Sequence, residues 1–368
     1  MQRHQRHMRG LSMVSLLAAC EPSPGLPISY ETEHLRIGAD LEHPLCAGDL
    51  VAFEQIIRRV DEELGLSMTS KVDVWIWSDE AWMVVGKEYC GPGTLGCTSY
   101  RGNVIYTSVS AVEHELVHAA TPIPRLTPFF AEGLADVYSG EQARFGHSAP
   151  ADALELSAIA MGRGASTHFV MWLRETWGST KLGELARLGK MAGSRFEDVY
   201  GLSFAEAQTL YFAEAPWGYP GLDTCSGAPL DLEDEFSGWQ AEVPFDCETG
   251  QDVRVYGIGL MVQRTFVIPV AGHYSVSTDA DAILLSRCAT GPIEEPLRSD
   301  AFSDDDVPPT YGGYPSEEFG FYMGDPVRDL YFEAGKHQIS LLVMGYEPDA
   351  VNLSIWPSLG PRPVEMEH

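Results

Sequence analysis

The residues with chemistry beyond folding lie in one short run, Ala111 to Ala120, reading AVEHELVHAA. Within it His114 and His118 stand four apart. Residues four apart on a helix share a face, so both imidazoles can point at one ion. Glu115 falls about 100° round the helix from His114. It can reach a water on that ion without being a ligand. Two neutral imidazoles with an open position suit Zn²⁺, and the adjacent carboxylate suits a general base. The competing reading is a polar helix face. Its flanks, Val112, Leu116, Val117, Ala119 and Ala120, oppose that. They predict a mostly buried helix, where ionisable groups are costly unless paired or metal-bound.

A third ligand is needed, and the run Thr127 to Tyr138, TPFFAEGLADVY, offers one. Thr127 suits an N-cap and Pro128 the first helical position. Glu132 and Asp136 then share a face. Glu132 is the natural third ligand, so the metal set is His114, His118 and Glu132. Asp136 could accept a hydrogen bond from the far nitrogen of a ligand histidine and fix its tautomer. Gly133 would let this helix approach the first closely.

HELVH followed by AEGLAD resembles the gluzincin metallopeptidases, the thermolysin-like group with a Glu third ligand. The Glu-x-x-x-Asp pair resembles the thermolysin arrangement. The Glu-Gly-Leu-Ala run is similar to the NEGFA-type segment of zinc aminopeptidases and of related compact bacterial peptidases. Only 13 residues separate His118 from Glu132, fewer than is usual in thermolysin. The metzincin pattern does not fit, because its Gly and third His would fall at Thr121 and Pro124. The resemblance implies a zincin-like domain, a Zn²⁺ cofactor, a peptide or protein substrate, and Glu115 as general base. It also implies that the strand before the zinc helix borders the cleft and pairs with extended substrate. Here that role falls to Val104, Ile105 and Tyr106. Gluzincins use a Tyr or His to stabilise the oxyanion. Related peptidases commonly carry a Tyr before the helix that here starts near Ser166, whereas this chain has Met161 to Gly164 there. The candidates are His168, Arg163, His147 and Tyr138, with His168 first because it stands at the start of that helix.

These residues need a scaffold, and the chain supplies it in order. Residues 1–19 hold Arg3, Arg6 and Arg9 and then the apolar run Leu11 to Ala19, which reads as a signal peptide. Leu17-Ala18-Ala19-Cys20 resembles a bacterial lipobox, in which Cys20 is acylated and becomes the mature N-terminus. Residues 20–27 would be the linker of a lipid-anchored, exported protein of the bacterial cell envelope. The leader's apolar run is too short to span a membrane as a helix, and no other stretch is apolar for 18 residues. The net charge of −29 becomes −32 without the three leader arginines. Such a balance argues against nucleic acid and against electrostatic docking on anionic lipid. Besides Cys20 the chain has Cys46, Cys90, Cys97, Cys225, Cys247 and Cys288. An even count in an exported chain predicts three disulfides. Cys90–Cys97 would close a Gly-rich loop, with Cys247–Cys288 and Cys46–Cys225 as the other pairs. No CxxC pair is present to form a cysteine zinc site.

Residues 28–220 are read as the zincin-like domain. Ile28 to Ile37 has strand character, Cys46 to Leu64 is an amphipathic helix, and Lys71 to Trp77 alternates as a strand. Ser78 can cap a helix reaching toward Tyr89, and Asn103 to Thr107 is a short strand. His168 to Trp177, ending at Gly178, and Lys181 to Lys190 read as helices. From about Pro216 the periodicity changes. Val253 to Leu260, Thr265 to Val270, Tyr274 to Thr278, Ala282 to Ser286, Asp329 to Glu333, His337 to Val343 and Val351 to Trp356 read as strands. They predict an all-β sandwich over 230–358, an accessory module, before a tail at 359–368. The acidic run Asp304-Asp305-Asp306 reads as a solvated loop. The expected fold is therefore an α+β zincin-like metallopeptidase domain followed by a β-sandwich. The alternative function is a surface binding lipoprotein whose peptidase-like domain keeps a structural metal only.

Overall fold

A computed structural model of the chain describes residues 25–68, 70–99, 103–121, 127–140, 163–188, 194–223, 225–230, 233–235, 238–256, 259–288, 292, 320–323, 327–345 and 350–358. The leader 1–19, Cys20, His147, Asp304-Asp305-Asp306 and the tail 359–368 lie outside the described residues, as does the side chain of Arg163. No described helix is long and apolar enough to cross a membrane. The fold mixes helices with several sheets around two large hydrophobic cores.

The N-terminal part holds strands β1 (Tyr30–Glu31), β2 (Leu35–Asp40), β3 (Val72–Trp77), β4 (Gly96–Thr98) and β5 (Val104–Ser108) in one sheet of order β1-β2-β3-β5-β4. β2, β3 and β5 run parallel, while β4 is antiparallel to β5. The sequence VDVWIW explains the central strand. Val72, Val74 and Ile76 enter the main core with Leu35, Ile37 and Ile105. Trp75 and Trp77 point the other way, into a smaller cluster with Trp82 and Tyr106. Both faces are thus covered, as parallel strands require.

Helix α1 (Ala47–Leu64) lays Phe53, Ile56, Ile57, Val60 and Leu64 on that core. Cys46 is its N-cap, and Asp49 closes a capping box by accepting from the Cys46 amide at 2.9 Å. Gly65 ends it in the left-handed region at φ 63°, its amide bonded to Asp61 O. Helix α2 (Asp79–Tyr89) is capped by Ser78 as its sequence predicts. Next come α3 (Val112–Ala120), α4 (Pro128–Tyr138), α5 (Arg163–Trp177), α6 (Ser179–Leu188), α7 (Ser194–Tyr200) and α8 (Phe204–Glu214). Phe129 and Phe130 of α4 pack with Phe169 of α5, while Phe196 and Phe204 close on Phe130.

Two expectations change here. β5 is an internal strand, paired with β3 on one side and β4 on the other, so Val104, Ile105 and Tyr106 offer no free edge. Among the described residues the edge belongs to β4, a strand of three residues in a glycine-rich run. Gly133 does not bring α4 onto α3. A Cβ there would stand 2.7 Å from Ser166 O and from Val170 Cγ2, so the glycine serves the α4–α5 contact.

The C-terminal part forms two further sheets. Strands β6 (Ala228–Pro229), β7 (Glu233–Glu235), β8 (Gly238–Pro244), β9 (Val253–Tyr256), β10 (Gly259–Ile268), β11 (Gly272–Thr278), β12 (Ala282–Arg287), β13 (Gly320–Met323), β14 (Val327–Phe332), β15 (Gly335–Met344) and β16 (Ala350–Pro357) divide between them. One sheet runs β13-β12-β15-β10-β6, with β9 also on β10; the other runs β14-β11-β16-β8-β7. Val262, Phe266, Ile339 and Leu341 of the first sheet share a core with Val276, Leu353 and Ile355 of the second.

Three disulfides are present, Cys90–Cys97, Cys46–Cys247 and Cys225–Cys288. The local pair matches the sequence reading, and the two distant pairs exchange partners relative to it. Cys46, at the start of α1, is buried in the core of the β-sheets and meets Cys247 there.

A candidate metal centre

Helix α3 is short, and its sequence decides which face does what. Val112, Leu116 and Val117 are buried in the main core, and the opposite side carries His114 and His118. Their Nε2 atoms lie 3.1 Å apart. Helix α4 starts at Pro128 behind an extended Thr127, as the sequence predicts, and brings Glu132 up to both rings. Glu132 Oε2 is 3.2 Å from His114 Nε2, and Oε1 is 3.5 Å from His118 Nε2. These are the donor atoms the sequence reading brings together.

The electrostatics of this triangle are unusual. His114 Nδ1 meets Asp136 Oδ1 at 2.9 Å, so the far nitrogen of the ring is held while Nε2 faces Glu132. The Nε2 atoms of both rings and the Glu132 carboxylate thus converge on one point. Burial alone would raise the Glu132 carboxyl. Its hydrogen bonds to His114 and His118, and their charge, outweigh that and hold it well below the usual carboxylate range. A tetrahedral Zn²⁺ with bonds of about 2.0–2.1 Å needs ligand atoms about 3.3–3.4 Å apart. The observed edges of 3.1, 3.2 and 3.5 Å fit that requirement.

Asp136 is fully buried, and Thr167 Oγ1 donates to its other oxygen at 2.7 Å. The chain Thr167–Asp136–His114 fixes the ring, which is how outer partners orient metal ligands. Thr167 is not legible as a partner, because nothing in the sequence links it to Asp136.

Glu115 is buried, and its ligand atom groups with those of the two imidazoles within 4.8 Å. Thr98 of the edge strand β4 holds it. The Thr98 hydroxyl lies 2.8 Å from Glu115 Oε2 and 3.0 Å from the Glu115 carbonyl. Gly96, on the same strand, makes room: a Cβ there would stand 2.7 Å from Glu115 Cγ. Both residues escape a sequence reading that treats the Cys90–Cys97 loop as a connection.

The expected oxyanion donor is a correction. His168 has no exposed surface; its Nδ1 meets the Tyr211 hydroxyl at 2.7 Å and its ring packs against Tyr219. A side chain so enclosed has no access to substrate. Tyr138 is also fully buried, with its hydroxyl on Glu63 at 3.1 Å. Burial, followed by the nearby Glu63 charge, pushes that phenol well above its ordinary range.

A second cluster, Glu33, His34 and Glu54, also brings metal-ligating atoms together. There Glu54 already accepts from the Thr32 hydroxyl, the His34 amide and the His34 ring. It clamps the β1–β2 turn to α1.

No family profile matches the chain, and no curated protein does. Among solved structures, part of the chain is similar to a Paenibacillus sp. cycloisomaltooligosaccharide glucanotransferase complexed with cycloisomaltoheptaose, at 16% identity and a TM-score of 0.15. That match covers 36% of this chain and 17% of the other, so it carries no argument about fold or activity.

Proposed function

We propose that the chain is a zinc-dependent peptide-bond hydrolase of the gluzincin type, with a zincin-like N-terminal domain. The observation that carries this reading is the triangle of His114, His118 and Glu132 with Glu115 beside it. Those three residues would hold Zn²⁺, which when bound supplies a Lewis acid that polarises water and a substrate carbonyl. Asp136 keeps His114 in the tautomer that ligation needs. Glu115 takes the proton of the attacking water and later passes it to the leaving amine. Thr98 aims that carboxylate. Strand β4 pairs with β5 on one side only among the described residues, so its other edge can bond an extended peptide.

Elemental analysis of the purified protein should find one zinc per chain. A chelator should remove the zinc and the hydrolysis of a peptide library together, and added zinc should restore both. Protein that keeps its zinc but cleaves nothing in the library would instead be a surface binding lipoprotein with a structural metal.

The reading includes export and a lipid anchor on Cys20. The disulfides suit an oxidising compartment. Mass spectrometry of the mature N-terminus should find diacylglyceryl on Cys20. An unmodified N-terminus at another residue would remove the anchor from the proposal.

A further inference from the structure

The zinc helix is held from outside its own sheet. Arg254, in β9 of the C-terminal part, donates through Nη2 to Glu113 Oε1, and Glu113 is the residue before His114. The same guanidinium lies with Nε 3.7 Å from Asp49 Oδ1 in the first turn of α1. Two carboxylates from two helices therefore converge on one cation from the β-sheets.

This joint is built into the backbone. Asp49 is 3% exposed and accepts from the Val255 amide at 3.2 Å as well as from Cys46. The Ala47 amide donates to Cys247 O at 2.9 Å, beside the Cys46–Cys247 disulfide. A Cβ at Gly48 would stand 2.3 Å from Val253 O, so α1 and β9 touch backbone to backbone.

We propose that Arg254 is a positioning residue for the metal centre, which makes the β-sandwich a working part of that centre and not an appended module. The inference rests on the zinc reading given above. Its physical ground is the fate of the two carboxylates. Without Arg254, Asp49 and Glu113 lose the guanidinium they share. Asp49 is held by two backbone amides and cannot leave. Glu113 is free to turn away, and it takes the start of α3, with His114, along. A shift of that kind degrades ligand geometry without breaking a ligand.

The test uses the full chain. Arg254→Met, Arg254→Lys, Glu113→Gln and the double variant E113Q/R254M are compared by chelator competition for zinc. The temperature is kept well below each variant's unfolding midpoint, and kcat and KM are measured in parallel. Loss of an outer partner typically costs about 10–100-fold in metal affinity or activity. Arg254→Met should show that loss in zinc affinity and a fall in kcat with KM little changed. Arg254→Lys should fall between it and the wild type. The double variant should regain part of the loss, because of the two carboxylates that lose Arg254 only Asp49 remains, and two backbone amides hold it. A purely structural role would lower the unfolding midpoint and leave zinc affinity alone. A folded Arg254→Met with wild-type zinc affinity overturns the inference by itself. If Arg254→Met does not fold, Glu113→Gln decides: weaker zinc binding supports the inference, and unchanged binding overturns it. Wild-type protein that holds no zinc overturns the metal reading and this inference with it.

Discussion

Glu115→Gln is expected to keep its zinc and its fold and to lose peptide hydrolysis by about 10²–10⁴-fold, the usual contribution of a general base. The amide matches the carboxylate in size, and it enters a site already shaped for it by Gly96. The Thr98 hydroxyl can bond the amide as it bonds the acid, so the side chain keeps its place. The triangle of His114, His118 and Glu132 is untouched, because Glu115 is not one of its corners. What disappears is the ability to take a proton from water at neutral pH. The measurement is kcat on a peptide substrate beside zinc content and a circular dichroism spectrum. A variant that cuts at the wild-type rate would sink the proposed chemistry. A variant that loses its zinc would show that Glu115 is a ligand, and the roles of Glu115 and Glu132 would have to be exchanged.

Helical period makes most of the centre legible in the amino-acid sequence. His114, His118, Glu132 and Asp136 follow from one rule, that residues four apart share a face. The same rule does not say what faces them. Thr167 and His168 are neighbours on α5, about 100° apart round the helix. Chemistry favours the histidine, but helix phase turns Thr167 to Asp136 and His168 to Tyr211. The choice between them depends on how α5 lies against α4, and Gly133 sets that contact.

Strand β4 escapes the sequence for a different reason. A strand of three residues has too few positions to show alternation, and Gly96-Cys97-Thr98 follows Gly91 and Gly93 in a run that reads as a loop. The edge is therefore expected one strand inward, at Val104, Ile105 and Tyr106, whose β-branched and aromatic residues mark a strand but not its neighbours. Most longer β-strands of the C-terminal part are legible from their alternation, with β9 and the start of β10 merged into one, whereas β6, β7, β8 and β13 are not expected from the sequence. Their attachment is not. Cys46 reads as the first residue of a helix, and nothing local shows that its side chain belongs to the other core.

That attachment should dominate stability. Removing Cys46–Cys247, as the Cys46→Ala/Cys247→Ala pair, frees a loop spanning a sequence separation of 201. The chain-entropy account puts the cost of such a cross-link on the order of 5 kcal/mol, against about 2 kcal/mol for a loop the size of Cys90–Cys97. Cys46 is also fully buried, so losing its sulfur leaves a small cavity. In urea the long-range pair should cost more, and its transition should broaden or split as the two cores come apart. Cys90→Ala/Cys97→Ala should behave in the opposite sense. Its cost in stability is the lesser of the two, but Cys97 lies between Gly96 and Thr98 on the strand that seats Glu115, so its main effect falls on kcat. The crossover is the check: equilibrium unfolding ranks the variants one way and turnover the other. If the short-loop variant proves the less stable, the two parts are not joined chiefly through Cys46, and the C-terminal sheets would have to be held by Asp49, Arg254 and Glu113 instead.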